Sequence, residues 1–233
     1  MWYLSYQRYL GPRKSGRKEM FNCVILTPST GFSRIGYSIS LFYLTLYYAK
    51  KRMIEDCPDQ VLRMDVVEGS GISANRESLI DKWLKEDVTH FLFIDEDMTF
   101  QPQTLHVLAS RNLPIVGCNY PKRSVGAGFT ALSKDREARI QTTEESTGVE
   151  ECYYTGFGFC LIQRHVFEKL MRPWFLIGYN KTTNTYTTED AAFAHTLYDQ
   201  TDVKWYVDHD ASKLLGHIGS HKFTFAGVDN VSL

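Results

Sequence analysis

The 233 residues carry 26 lysines and arginines against 27 aspartates and glutamates, a formal net charge of -1, and 43% of them are hydrophobic. That balance fits one globular domain with a sizeable core and gives no global electrostatic argument for a nucleic-acid partner. Five cysteines (Cys23, Cys57, Cys118, Cys152, Cys160) stand at irregular spacing without a C-x-x-C pair, which suggests neither a disulfide framework nor a zinc knuckle and fits a reducing compartment.

Positive charge concentrates at Arg8, Arg13, Lys14, Arg17 and Lys18, in a segment without the ordered basic, apolar and small-residue regions of a secretory signal. Residues 1–20 therefore read as a basic extension ahead of a single domain at 21–233. The apolar run 21–26, closed by Thr27-Pro28-Ser29-Thr30-Gly31, predicts a buried strand ending in a loop. Residues 35–52 set apolar and aromatic side chains at helical spacings and end in Lys50-Lys51-Arg52, which suits a helix C-terminus. Within them Tyr43, Leu46, Tyr47 and Lys50 share a face that reads as packing. The apolar part, 39–49, is too short and too rich in Tyr and Ser to cross a bilayer. The expectation is a cytoplasmic protein, in the host cytoplasm for a viral one, with peripheral membrane contact left open. Residues 61–68 predict a second strand, and 73–85 a helix capped by Ser73.

Residues 91–100 read FLFIDEDMTF, an apolar run that ends in three carboxylates. Crowded like charges repel each other and resist desolvation, so water, a cation or donor groups must compensate them. A helix is expected at 102–110 and a strand at 113–118. Strand and helix thus alternate through the first half, the pattern of a doubly wound α/β sheet, whose ligands gather at the carboxyl ends of the strands. Both Thr27-Pro28-Ser29 and Asp95-Glu96-Asp97 fall at such ends. The polar stretch 121–151 predicts loops and short antiparallel strands facing a substrate. After it come a strand at 154–162, a helix at 164–171, a helix opened by Thr188-Glu189-Asp190 and running to about residue 198, and a late strand at 203–208. Asp95 and Asp97 suit a hard divalent cation, Mg²⁺ or Mn²⁺, with positions open for phosphate oxygens, although a lone D-x-D is more often a solvated turn.

From about residue 21 to 225 these phrases, in this order, resemble the nucleotide-sugar-dependent glycosyltransferases of the GT-A fold, family-2-like and of bacterial, viral or phage type. Residues 89–97 are similar to that family's strand and D-x-D motif. Ile25-Leu26-Thr27-Pro28 is similar to its first strand and nucleotide loop. Arg76-Glu77-Ser78-Leu79 resembles its R-N-x-L phrase, with Glu in place of Asn, and residues 114–123 resemble I-V-G-x-x-Y-P-x-R. Residues 155–162 with Pro173-Trp174-Phe175 resemble the acceptor-side G-x-G-F phrase, Thr188-Glu189-Asp190 the E-D helix start, and Leu215-Gly216-His217-Ile218-Gly219 the G-H-x-G segment.

The resemblance implies an α/β GT-A fold, a Rossmann-like, mostly parallel sheet flanked by helices with a smaller antiparallel region, divided into a donor half at 21–120 and an acceptor half at 121–233. It implies Mn²⁺ or Mg²⁺ held by Asp95, Asp97 and His217. The implied donor is a nucleoside diphosphate sugar, UDP favoured over GDP, bound by Thr27, Pro28, Ser29, Arg34, Arg76 and Asp95. Asp190 becomes the base with Glu189 beside it, and Gly156, Phe157, Gly158 and Trp174 face the sugar or acceptor. The acceptor is a hydroxyl on a glycan, a lipid-linked carrier or another molecule, modified DNA included.

Residue by residue, plainer readings stand beside these. His217 also fits a satisfied core histidine, Asp190 a carboxylate favoured by a helix dipole, Arg34 and Arg76 surface charges, and Gly156 and Gly158 a tight turn. Tyr153, Tyr154, Phe157, Trp174 and Phe175 read mostly as core, with one or two ring faces as a sugar platform. Glu96, in an extended segment, faces away from its neighbours. His195, His209 and His221 carry no functional reading. Retaining transfer and a non-catalytic nucleotide- or glycan-binding module remain alternatives. A nucleotidyltransferase would carry a Gly- and Lys/Arg-rich loop after its first strand, which residues 27–32 do not match.

Overall fold

The computed structural model describes residues 21–54, 60–69, 71–123, 128–181, 184–219 and 222–224. The basic extension expected at 1–20, Cys57 and His221 lie outside the described residues. In chain order the elements are β1 (Phe21–Ser29), α1 (Ile35–Ile54), β2 (Gln60–Glu68), α2 (Ile72–Trp83), β3 (His90–Ile94), β4 (Met98–Phe100), α3 (Thr104–Ser110) and β5 (Ile115–Cys118). There follow β6 (Leu132–Ser133), β7 (Val149–Tyr154), β8 (Phe159–Gln163), α4 (Arg164–Lys169), β9 (Tyr179–Asn180), β10 (Thr185–Tyr186), α5 (Glu189–Gln200), β11 (Trp205–Asp208), α6 (His209–Ser212), β12 (Leu215–Ile218) and β13 (Lys222–Phe223).

One sheet runs in the order β2-β1-β3-β8-β5-β11-β7-β6. β2, β1, β3, β5, β11 and β6 point one way, and β8 and β7 run against them. The mostly parallel sheet is therefore interrupted at its centre, where β8 inserts between β3 and β5 and sets Ile94 opposite Phe159. The stretch 154–162, expected as one strand, is instead the end of β7, a turn and β8. β1 and β3 are apolar throughout because both faces of the sheet are covered. Val24, Leu26, Phe91 and Phe93 join one core layer, with Leu79 and Ile80 of α2 and Phe193 and Leu197 of α5. Cys23, Ile25, Leu92 and Ile94 join the other, with Leu44 and Tyr48 of α1 and Leu105 and Leu108 of α3.

Several boundaries differ from expectation. α2 starts at Ile72 behind Gly71, whose extended backbone leaves no side-chain cap, so Ser73 lies inside the helix and its hydroxyl is buried without a partner. α3 starts at Thr104 after a turn. The face of α1 bearing Tyr43 and Leu46, expected to pack, points outward, with those residues 55% and 49% exposed. β4 has no counterpart in the sequence reading. It pairs antiparallel with β12, in a small sheet ordered β13-β12-β4, and that pairing sets His217 opposite Met98, immediately after Asp97.

Cys23, Cys118, Cys152 and Cys160 are free thiols with no exposed surface, and burial pushes the pKa of each upward. Among the described residues no helix is long and apolar enough to cross a membrane.

Candidate active site

Beyond β3 the chain turns tightly: Met98 N–H donates to the Asp95 carbonyl at 3.1 Å, and Asp95 N–H donates to Gly158 O at 3.2 Å. The turn gives its three carboxylates three different surroundings. Glu96 does not face away idly. It accepts from the Ser29 hydroxyl at 2.6 Å and from the Thr30 backbone N–H at 2.9 Å, and the Thr30 hydroxyl joins them. Partial burial raises its pKa, but these donors outweigh burial and hold the carboxyl below its usual range. Glu96 thereby fastens the loop after β1 to the turn after β3. The expected donor-binding residues Thr27 and Pro28 lie within β1 rather than in a loop, Thr27 buried and hydrogen-bonded to the Tyr37 hydroxyl at 2.7 Å and Pro28 buried. Ser29 is committed to Glu96, and Arg34 is exposed, its backbone N–H reaching the Glu96 carbonyl at 3.4 Å.

Asp95 turns inward. Its Oδ1 accepts from Arg76 Nη2 at 2.7 Å, and Arg76 Nη1 reaches Glu189 Oε1 at 3.3 Å. Arg76 is therefore neither a surface charge nor free for a diphosphate. Only 1% of its side chain is exposed, and its guanidinium carbon lies 4.9 Å from the Phe157 ring centroid and 5.6 Å from that of Phe93. Burial alone would lower its pKa, and the nearby carboxylates, Asp95 first, reverse that and raise it. Burial pushes Asp95 and Glu189 upward against the pull of Arg76. The ion-pair chain ties the end of β3 to the first residue of α5, a helix whose N-terminus is capped by the Thr188 hydroxyl accepting from Ala191 N–H.

Asp97 points to the opposite side. His217 Nε2 stands 3.5 Å from its Oδ2, and Arg123 Nη1 bonds the same oxygen at 2.7 Å. Asp97 Oδ1 is buried with no hydrogen-bond partner. Burial raises the Asp97 carboxyl, yet His217 and Arg123 prevail and hold it below the usual range. His217 Nδ1 lies 2.9 Å from the Pro121 carbonyl, which can only accept, so Nδ1 carries a proton while Nε2 faces the Asp97 carboxylate. With Nε2 unprotonated, that nitrogen and the bare Asp97 Oδ1 are a donor set that fits a divalent cation. Among the described residues no group of three or more His, Cys, Asp and Glu gathers for that purpose, because Arg76 holds the inward oxygen of Asp95.

The sugar- and acceptor-facing set is corrected. A Cβ at Gly156 would lie 2.1 Å, and one at Gly158 2.5 Å, from the Tyr120 hydroxyl, so these glycines make room for a tyrosine rather than for a ligand. Tyr120 is buried and its oxygen accepts from Gly158 N–H at 2.8 Å. Phe157 is packed among Phe93, Phe175, Phe193 and Trp205, and Trp174 donates its indole N–H to the Leu170 carbonyl. Both rings are buried and offer no platform. Glu77 is likewise structural, accepting from Arg172 and from the backbone N–H groups of Trp174 and Phe175. Asp190, in the first turn of α5, has its Oδ2 3.6 Å from the place of a Gly156 Cβ, on the same side of the site as Tyr120.

No protein-family model and no curated protein matches the sequence. Among solved structures the chain is similar to A197 from STIV, with a TM-score of 0.56 and 20% identity over 85% of this chain and 86% of that one. The chain has a GT-A-like fold. Lower-scoring likenesses include S. aureus TarS (TM-score 0.45, 13% identity, 82% of this chain and 35% of that one) and a shorter TarS in complex with UDP-GlcNAc (0.46, 11%, 82% and 56%). The chain spans between a third and three fifths of those TarS chains.

In the GT-A-like frame, the structure brings Asp95, Asp97, Glu189, Asp190 and His217 to one end of the sheet. Tyr120, Arg123 and the anchoring role of Glu96 escaped the sequence reading. Arg123 closes the Y-P-x-R phrase, and that position was the available signal. A cavity of about 1160 Å³ opens elsewhere, between Phe21, His90, His106 and His165, away from these carboxylates.

Proposed function

We propose that the chain is a metal-dependent, inverting glycosyltransferase that moves a monosaccharide from a nucleoside diphosphate sugar to an acceptor hydroxyl. The observation that carries this reading is the partnerless Oδ1 of Asp97 beside Nε2 of His217. Mn²⁺ or Mg²⁺ held by that pair would act as a Lewis acid on the departing diphosphate. The rest is done by the chain. Glu96 fixes the loop after β1 where a nucleotide would lie, and Arg76 holds Asp95 and the start of α5 at one spacing. Asp190 accepts the proton of the acceptor hydroxyl as the new bond to the anomeric carbon forms and the bond to the diphosphate breaks. Glu189, bound to Arg76, is a positioning residue.

The test is incubation with a panel of UDP- and GDP-sugars and Mn²⁺, scored for released diphosphate and for product configuration by NMR. Mn²⁺-dependent release with inversion is expected, and Asp97→Ala is expected to remove both release and Mn²⁺-dependent nucleotide binding in titration calorimetry. Tight Mn²⁺-dependent binding of UDP or GDP by Asp97→Ala would overturn the metal role, and a retained anomeric configuration would overturn Asp190 as base.

A further inference from the structure

The outer face of α1 is unlike the rest of the surface. Ile35, Ile39, Phe42, Leu46, Ala49 and Met53 follow one another at intervals of three and four residues, and at 100° per residue they fall within an arc of about 80°. All six are exposed, Ile35 to 80%, and Phe32 in the preceding loop and Tyr43 on the flank are exposed with them. The stripe is about 27 Å long by the helical rise. A shallow groove lined by Leu41, Thr45, Ala49, Met53, Leu62 and Met64 joins it to the edge strand β2, where Met64 and Val66 are also exposed.

The charged residues of the stripe's own segment have one sign, and Glu55, Asp56 and Asp59 follow it directly in the sequence. No aspartate or glutamate occurs from residue 31 to 54, while Arg34 lies at one end of the stripe and Lys50 and Arg52 at the other, all exposed. Glu68, at the end of β2 and against Gly31, is the carboxylate at that margin. Lys50 and Arg52 lie toward the end of α1 where β1 begins, and Phe21, the first residue of β1, packs in the α1 core layer. Residues 1–20, which join the fold at Phe21, contribute Arg8, Arg13, Lys14, Arg17 and Lys18 against the single acid Glu19.

We propose that this face of α1 seats the protein on an anionic lipid surface. A helix that presents aliphatic and aromatic side chains outward, with only cations among its own charged residues, has the chemistry of a helix lying in the plane of a headgroup layer: apolar groups enter the acyl boundary while Arg and Lys meet lipid phosphates. α1 starts beside the Glu96 anchor, so the seated protein holds the rim of the candidate active site against the headgroups.

Flotation of the full chain with vesicles tests this without any donor or turnover, so its outcome is independent of the glycosyltransferase reading. Vesicles of phosphatidylcholine with about a third phosphatidylglycerol should carry the protein up the gradient, phosphatidylcholine alone should not, and added salt should weaken the association. The double variant Phe42→Ser/Leu46→Ser should bind the anionic vesicles at least ~10-fold more weakly, with an unchanged melting midpoint, because both side chains are exposed. Phe42→Trp should show blue-shifted emission on those vesicles and be quenched by brominated acyl chains. Equal flotation of the double variant and the parent overturns the proposal, as does loss of flotation only when residues 1–20 are removed. A concentration-dependent dimer that the double variant breaks, with no flotation of the parent, also overturns it in favour of a second copy.

Discussion

The two layers of the central sheet are built and covered differently. The layer under α2 and α5 is built of rings, Phe91, Phe93, Phe157, Phe167, Phe175, Phe193, Trp174 and Trp205, and it admits one full charge, Arg76, answered by Asp95 and Glu189. The layer under α1 and α3 is largely aliphatic, its buried Asp208 is answered by Arg111 at the end of α3, and its covering helix carries apolar side chains on the solvent side as well. Charge buried beneath a site fixes its geometry, because a guanidinium offers donors in set directions. Apolar surface left outside a fold leaves the geometry alone and changes only what the fold can rest against.

Breaking the buried charge should give the largest effect. Arg76→Met leaves Asp95 and Glu189 desolvated and unpaired, and a loss of about 3–5 kcal/mol in denaturant unfolding is expected. In that variant the folded state should hold those two carboxyls above their unfolded pKa values, so it binds more protons than the unfolded chain and stability should rise as pH falls from neutral toward 5. A variant as stable as the parent, or one whose stability falls over that range, would show that the ion-pair chain is not structural. Asp190→Asn sharpens the contrast from the active-site side. Turnover should drop by roughly 10²- to 10⁴-fold while the melting midpoint and nucleotide affinity hold. Parallel loss of nucleotide affinity would make Asp190 a donor ligand instead.

Much of this arrangement was legible in the sequence, but unevenly. An apolar run broken by three carboxylates announces both a strand and an unusual end, so β3 and Asp95-Glu96-Asp97 were found together. What each carboxylate does was not, because Asp95 and Asp97 differ only in which way a short turn aims them. Arg76 sits among polar helix residues and nothing in its neighbours signals burial. Gly156 and Gly158 advertised empty space without naming its occupant, which is a tyrosine 36 and 38 residues earlier in the chain. β8 is buried on both faces, and such a strand carries no mark of its direction. The outward face of α1 was misread for the same reason: a helix apolar on both sides has no periodicity that tells inside from outside.

Smaller effects should probe finer parts of the same contrast. Gly158→Ala drives a methyl into the Tyr120 ring, and a loss of about 1–3 kcal/mol is expected by thermal or denaturant unfolding. An unchanged midpoint would show that Tyr120 can move aside. His217→Ala should weaken Mn²⁺ affinity by more than about tenfold in titration calorimetry. If metal affinity is unchanged and only the melting midpoint falls, His217 is a core histidine. At the small end, Phe42→Ser should alter folding stability by no more than about 0.5 kcal/mol, since its side chain already meets solvent.

The four buried thiols turn the fold into its own clock. Alkylating reagents attack thiolates, and Cys23, Cys118, Cys152 and Cys160 are both sealed from solvent and pushed toward the protonated form. Each can react only while the strand that carries it is open. Cys23 is on β1, Cys118 on β5, Cys152 on β7 and Cys160 on β8, so four labelling rates followed by peptide mass would time the opening of four strands in one experiment. Equal rates would mean that the sheet opens as a unit, and a faster Cys152 would mean that the β7 side loosens while the centre stays shut.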